Sequence, residues 1–125
     1  MPVLENQSNR QAGEYVTGGV AAPARGMNQA TTFSARLDLA TVGLNDASLI
    51  IDMSIEGSID NVVWNEYAKI TGWQGGTVGR DGTVRPPNVS WMASDNRVLS
   101  RIRVRWTQNK VARVGVTMDF EAHDI

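Results

Sequence analysis

His123 is the one imidazole in this chain of 125 residues, and there is no cysteine. Those two counts bound the chemistry. A zinc site would have to be completed by carboxylates around that single histidine, and no ligand spacing for one occurs. A Ser-His-Asp arrangement would have to recruit a histidine three residues from the C-terminus, where a solvent-exposed tail is the simpler reading. Gly75-Gly76-Thr77-Val78-Gly79-Arg80 is glycine-rich. It lacks the Lys-Ser/Thr ending and the following helix with which a phosphate loop holds its ligand. Asp60-Asn61 and Asp81-Gly82 are turn formers before they are calcium ligands. Asp52 and Glu56 share one face of a candidate strand, as hydrolytic acid pairs do, but such pairs are equally common on solvated faces. The expectation is no catalytic residue, no metal and no cofactor: the chain is not read as an enzyme.

Two residue types remain that point to binding. The four tryptophans are Trp64, Trp73, Trp91 and Trp106. Trp64 and Trp106 fall on apolar strand faces and are expected in the core. Trp73 and Trp91 flank a glycine-rich loop. They either pack that loop on the rim, anchor a protein interface, or stack a sugar ring. The cations are ten arginines and only two lysines, Lys69 and Lys110. Arginine is favoured at interfaces because its planar fork pairs with carboxylates; a coding bias gives the same count. The candidate interface residues are Tyr15, Arg25, Trp73, Arg80, Arg85, Trp91, Arg101, Arg103, Arg105 and Arg113.

The net charge of -1 provides no global field toward nucleic acid or an acidic membrane, so neither is expected as a partner. Apolar runs are far too short to span a bilayer. The opening Met1-Pro2-Val3-Leu4-Glu5-Asn6 lacks the basic and apolar regions of a signal peptide. Absence of cysteine fits folding in a reducing cytoplasm or stability gained by assembly.

These side chains must be carried by strands. Phe33, Ala35, Leu37 and Leu39 alternate with Ser34, Arg36 and Asp38. Leu49, Ile51, Met53 and Ile55 alternate with Asp52, Ser54 and Glu56. Val98, Ile102, Val104 and Trp106 share a face opposite Arg101, Arg103 and Arg105. Ala112, Val114, Val116, Met118 and Phe120 alternate with Arg113, Thr117 and Asp119. Period two marks strands with one buried face. Residues 57–61 read as the turn of a hairpin leading into a strand over 63–70. Residues 71–88, with seven glycines and prolines among polar residues, read as a long loop, and 89–92 as a short strand. Nothing comparable has helical period; residues 46–48 suggest a turn at most. Residues 1–29 are rich in glycine and small or amide residues and read as an extended arm that either wraps its own domain or reaches a neighbour. Residues 30–125 form the domain.

Pairing Val104 with Val114 and Ile102 with Val116 would make 101–120 a hairpin with a three-residue loop, 108–110, and Asn109 in the left-handed region. Arg105 would then oppose Arg113, with Arg101 and Arg103 in the same row. Like charges opposite one another cost up to about 1 kcal/mol. Solvent, a strand of the same chain carrying Asp52, Glu56 or Asp38, an acidic surface on another subunit, or nucleic acid would each compensate.

The stretch Ile55-Glu56-Gly57-Ser58-Ile59-Asp60-Asn61-Val62-Val63-Trp64, followed by Ile70, resembles the strand, "G-S-x-D-G-x-x-W" turn and strand of small β-sandwich proteins of tailed bacteriophage particles. Discoidin-like sugar- and lipid-binding domains carry a similar pattern. Asn61 stands where those proteins often have glycine; both tolerate a left-handed turn. The whole chain is similar to capsid decoration, or cement, proteins. That resemblance implies an antiparallel jelly-roll or related sandwich on the virion exterior, assembled in the host cytoplasm. It implies a protein that bridges neighbouring major capsid proteins and associates with itself as a dimer or trimer. It carries over no catalytic residue. A carbohydrate-binding module and a phage tail or baseplate component are the alternatives.

Overall fold

Alternation of period two places Phe33, Ala35, Leu37 and Leu39 on one face of a strand, and in the computed structural model all four are buried. The structure describes residues 3–22, 29–76, 78, 81–93 and 99–124. Nine strands form over these residues: β1 (Val3–Arg10), β2 (Gly13–Val16), β3 (Val20–Ala21), β4 (Gln29–Leu39), β5 (Ile50–Ser58), β6 (Asn65–Gln74), β7 (Asn88–Ala93), β8 (Arg101–Gln108) and β9 (Ala112–Asp124). A single helical turn, α1 (Thr41–Leu44), lies between β4 and β5.

The strands make two antiparallel sheets in the orders β1-β9-β4-β7 and β2-β8-β5-β6, with β3 added beside β8. Four antiparallel pairs nest one inside the next: β5 with β6, β4 with β7, β2 with β8, and β1 with β9. This is a folded ribbon rolled into a sandwich, the jelly-roll arrangement. Between the sheets lie Leu37, Ile51, Met53, Ile55, Ile102, Val104, Trp106, Val114, Val116 and Met118, with almost no exposed surface.

The rolled topology changes several expectations. Strands β8 and β9 do not form a hairpin: β8 pairs with β2, β3 and β5 in one sheet, β9 with β1 and β4 in the other. Their apolar faces meet across the core instead of lying side by side. Alternation fixes which face is buried but not which strand is the neighbour. Arg105 therefore sits opposite Val16 and Ser54, and Arg113 opposite Asn9. Asn109 is not left-handed; among the described non-glycine residues only Asn61 is, at φ 62°. Val98, expected to face inward, lies outside the described residues.

Residues 3–22, read as part of an extended arm, are indeed extended, but as β1, β2 and β3 within the sheets. They wrap their own domain. The expected loop at 71–88 is shorter, because β6 continues through Trp73 to Gln74. His123 is not in a free tail; it lies on β9, half-buried, with Nε2 2.9 Å from Thr32 Oγ1.

Candidate functional site

The arginine row is divided between the two sheets and largely neutralised within the chain. Glu56 on β5 takes Arg103 Nε on Oε1 at 2.7 Å and Arg105 Nε on Oε2 at 3.2 Å. Glu14 on β2 pairs with the far side of Arg105. Glu14, foremost, raises the Arg105 pKa further above its ordinary value. Arg103 also stacks 4.0 Å over the ring of Trp64. Trp64 precedes β6 and is half-buried on this outer face, so it is not the core residue its alternation suggested. Of the compensations open from sequence, a strand of the same chain is what the geometry provides. Asp52 is occupied too, its Oδ1 accepting the Gly72 amide at 2.6 Å.

The remaining sequence candidates are packed in different places. Tyr15 stacks on Trp106 (centroids 5.3 Å apart), and its hydroxyl donates to the Gln11 carbonyl at 2.7 Å. The Arg10 guanidinium lies over both rings, a contact that no local pattern announced. Trp73 donates its indole N–H to the Arg85 carbonyl at 3.2 Å, and Arg85 pairs with Asp81 at 3.2 Å. Trp91 stands between Phe33 and Tyr67, stacked on each, and joins the edge of one sheet to the edge of the other. Among the described residues no two tryptophans form an exposed coplanar pair of the kind that grips a sugar. Arg101 is half-buried beside Ser58 and Ala21. Arg113 is exposed on β9. Arg25 and Arg80 lie outside the described residues.

Among the exposed large apolar side chains, two groups sit at the ends of the sandwich. At one end, the β5–β6 turn displays Ile59, Val62 and Val63, each at least 60 % exposed. The turn is built around Asp60. Its Oδ1 accepts the Val62 and Val63 amides at 2.9 Å each and the Ser58 hydroxyl at 3.1 Å. The Asn61 amide donates to Ser58 Oγ at 2.9 Å. The Val63 amide, then that of Val62, holds the Asp60 carboxyl below its ordinary pKa, so it is charged at neutral pH. At the base of the turn a Cβ on Gly57 would come within 2.8 Å of Tyr67 Cε2, so any larger residue there would displace that ring. The glycine, serine, aspartate and Asn61 of the phage-like pattern are thus the parts of one rigid, aliphatic-tipped knuckle.

At the other end, a groove of about 420 Å³ runs between α1 and the β8–β9 connection. Ala40, Val42, Leu49, Val111 and Ala112 line it, with Lys110 and Arg113 at the rim. Val42 is 80 % exposed and Val111 54 %. Asn109 fixes the wall by accepting the Ile50 amide at 2.7 Å and donating to the Ser48 carbonyl at 2.9 Å. Lys110 pairs with Asp46 at 2.7 Å. Through that lysine, first, and Ser48, the Asp46 carboxyl is lowered to about 2. Sequence reasoning missed the groove because its two walls are some seventy positions apart in the chain.

By fold, then, the chain is a jelly-roll β-sandwich of two antiparallel sheets. Comparison with protein-family models, with curated proteins and with solved structures found no match. Among the described residues no three His, Cys, Asp or Glu side chains are grouped to hold a metal ion, and no helix is long and apolar enough to cross a membrane.

Proposed function

We propose that this protein is a structural component that docks on neighbouring protein subunits of a larger assembly, and that the assembly is a bacteriophage capsid whose exterior it decorates. The observation that carries the reading is the 59–63 knuckle. Three exposed aliphatic side chains on a turn locked by four hydrogen bonds around Asp60 and Ser58 are a convex apolar anchor. A solvated turn has no use for such residues, and rigidity lowers the entropy lost on docking. The capsid is named on the phage-like pattern that builds this same turn, and a jelly roll is a fold of virion proteins among others. Because Arg103 and Arg105 are satisfied internally, the knuckle replaces them as the principal contact.

The test is co-sedimentation of the purified chain with shells of the virus that encodes it, stripped of this protein. Saturable binding at symmetry-related positions is expected. Val62→Glu should weaken it at least tenfold with no loss of thermal stability. A wild-type chain that leaves the shells unbound would overturn the capsid assignment, and Val62→Glu binding as well as wild type would overturn the knuckle.

A further inference from the structure

We infer that copies of this chain associate head to tail, the 59–63 knuckle of one seated in the Val42–Val111 groove of the next. The inference rests on reading the knuckle as a contact surface and names a second copy as one of its partners. Strand β5 runs from Ile50, beside the groove, to Ser58, beside the knuckle. Nine strand residues separate the two by about 27 Å. One patch is convex and the other concave, so a contact between them is heterologous and repeats from copy to copy, as a ring or a filament.

The charges match as well. Asp60 Oδ1 is used inside its own turn, while Oδ2 has no hydrogen-bond partner among the described residues. At the groove rim Lys110 is committed to Asp46 and Ser48. Arg113 is exposed and makes no ion pair among the described residues. An ionised carboxylate at the tip of the anchor therefore meets one uncommitted guanidinium at the mouth of the groove, the pairing that fixes orientation and register. Both surfaces are held by hydrogen bonds before they meet, so little ordering is needed on contact. Each patch is small beside a standard interface, so a single contact is weak and gains strength when many copies line a common surface.

Sedimentation velocity on the full chain from about 10 μM to about 1 mM, the range of weak association, tests this. The mean mass of the wild type should rise with concentration. Val62→Glu, which spoils the knuckle, and Val42→Glu, which spoils the groove, should each stay monomeric. Both positions are exposed, and unchanged melting temperatures would show that both variants are folded. Mixed in equal amounts they should form a dimer and nothing larger, since the mixture holds one intact knuckle and one intact groove per pair. Arg113→Glu should weaken the wild-type association. A wild type monomeric at about 1 mM overturns the inference, as does a mixture that stays monomeric. Self-association of Val42→Glu alone overturns it in favour of a knuckle-to-knuckle contact. Shell binding by a wild type that never self-associates removes this inference and leaves the proposed function standing; self-association without shell binding does the reverse.

Discussion

Glu56 is the residue on which the outer face of the five-stranded sheet turns. Its side chain is 12 % exposed and that of Arg103 19 %, and its two oxygens serve two arginines. Glu56→Gln keeps size and shape and removes the charge, leaving Arg103 and Arg105 side by side. An exposed ion pair contributes about 0.2–1 kcal/mol, and breaking a fully buried one costs about 3–5 kcal/mol. Two charge-assisted bonds to a mostly buried carboxylate, with one arginine still held by Glu14, fall between these limits, at about 2 kcal/mol. For 125 residues the unfolding entropy is about 0.26 kcal/mol/K, so the melting temperature should fall by about 8 °C. Differential scanning calorimetry reads this directly. A double-mutant cycle with Arg103→Met should return a coupling of about 1 kcal/mol or more. A fall of less than about 2 °C together with no coupling would refute the reasoning: the arginines would then be free of internal partners, and an acidic partner surface would again be the natural place for them.

Gly75→Ala should destabilise by about 2 kcal/mol or more, since its Cβ would fall 1.9 Å from the Asp46 carbonyl oxygen and 2.9 Å from that of Gly43, both backbone. Gly18→Ala, where a Cβ meets nothing within 4 Å, should stay within about 0.5 kcal/mol of wild type; urea denaturation separates the two. Trp91→Ala should cost about 2–3 kcal/mol by removing the middle ring of the Phe33–Trp91–Tyr67 stack, with Trp91→Phe recovering part of it and near-ultraviolet dichroism reporting the lost stack. Asp46 titrates near 2 in the folded chain against an ordinary 3.8. Its folded pKa is depressed, so its contribution to stability is present above about pH 4 and lost as pH falls through about 2. Asp46→Asn should therefore flatten the acid limb of melting temperature against pH.

The strands were legible because each buries a single face. Phe33 through Leu39 and Ile51 through Ile55 announce themselves by alternation, and the Gly57–Asn61 turn by its residue types. Partnership was not legible. Val104 and Val114 are apolar for the same reason whether they sit side by side or face each other across about 10 Å of core, so alternation alone does not choose between a β8–β9 hairpin and strands in opposite sheets. Residues 3–22 hid their strands because β1 and β2 are edge strands, where polar residues such as Asn6, Ser8 and Glu14 face solvent without penalty. Trp64 lies one residue ahead of β6, so the alternation of that strand does not fix its face, and it packs on the outer side under Arg103. Of the site, the knuckle was in view as a turn. Its role depends on Ile59, Val62 and Val63 being exposed, which only the fold decides.

In the four-stranded sheet, β9 lies between β1 and β4, in register with Val3–Arg10 on one side and with Gln29–Leu39 on the other. A chain emerging from the ribosome makes both flanking strands long before residues 112–124. Until those thirteen residues appear, β1 and β4 each present an unpaired edge, and the apolar faces of β5 and β8 have only half their cover. Folding of this sheet is thus a closing event rather than a progressive one. The nascent polypeptide is most exposed to mispairing just before β9 appears, and a lesion in β9 acts on the whole sandwich at once.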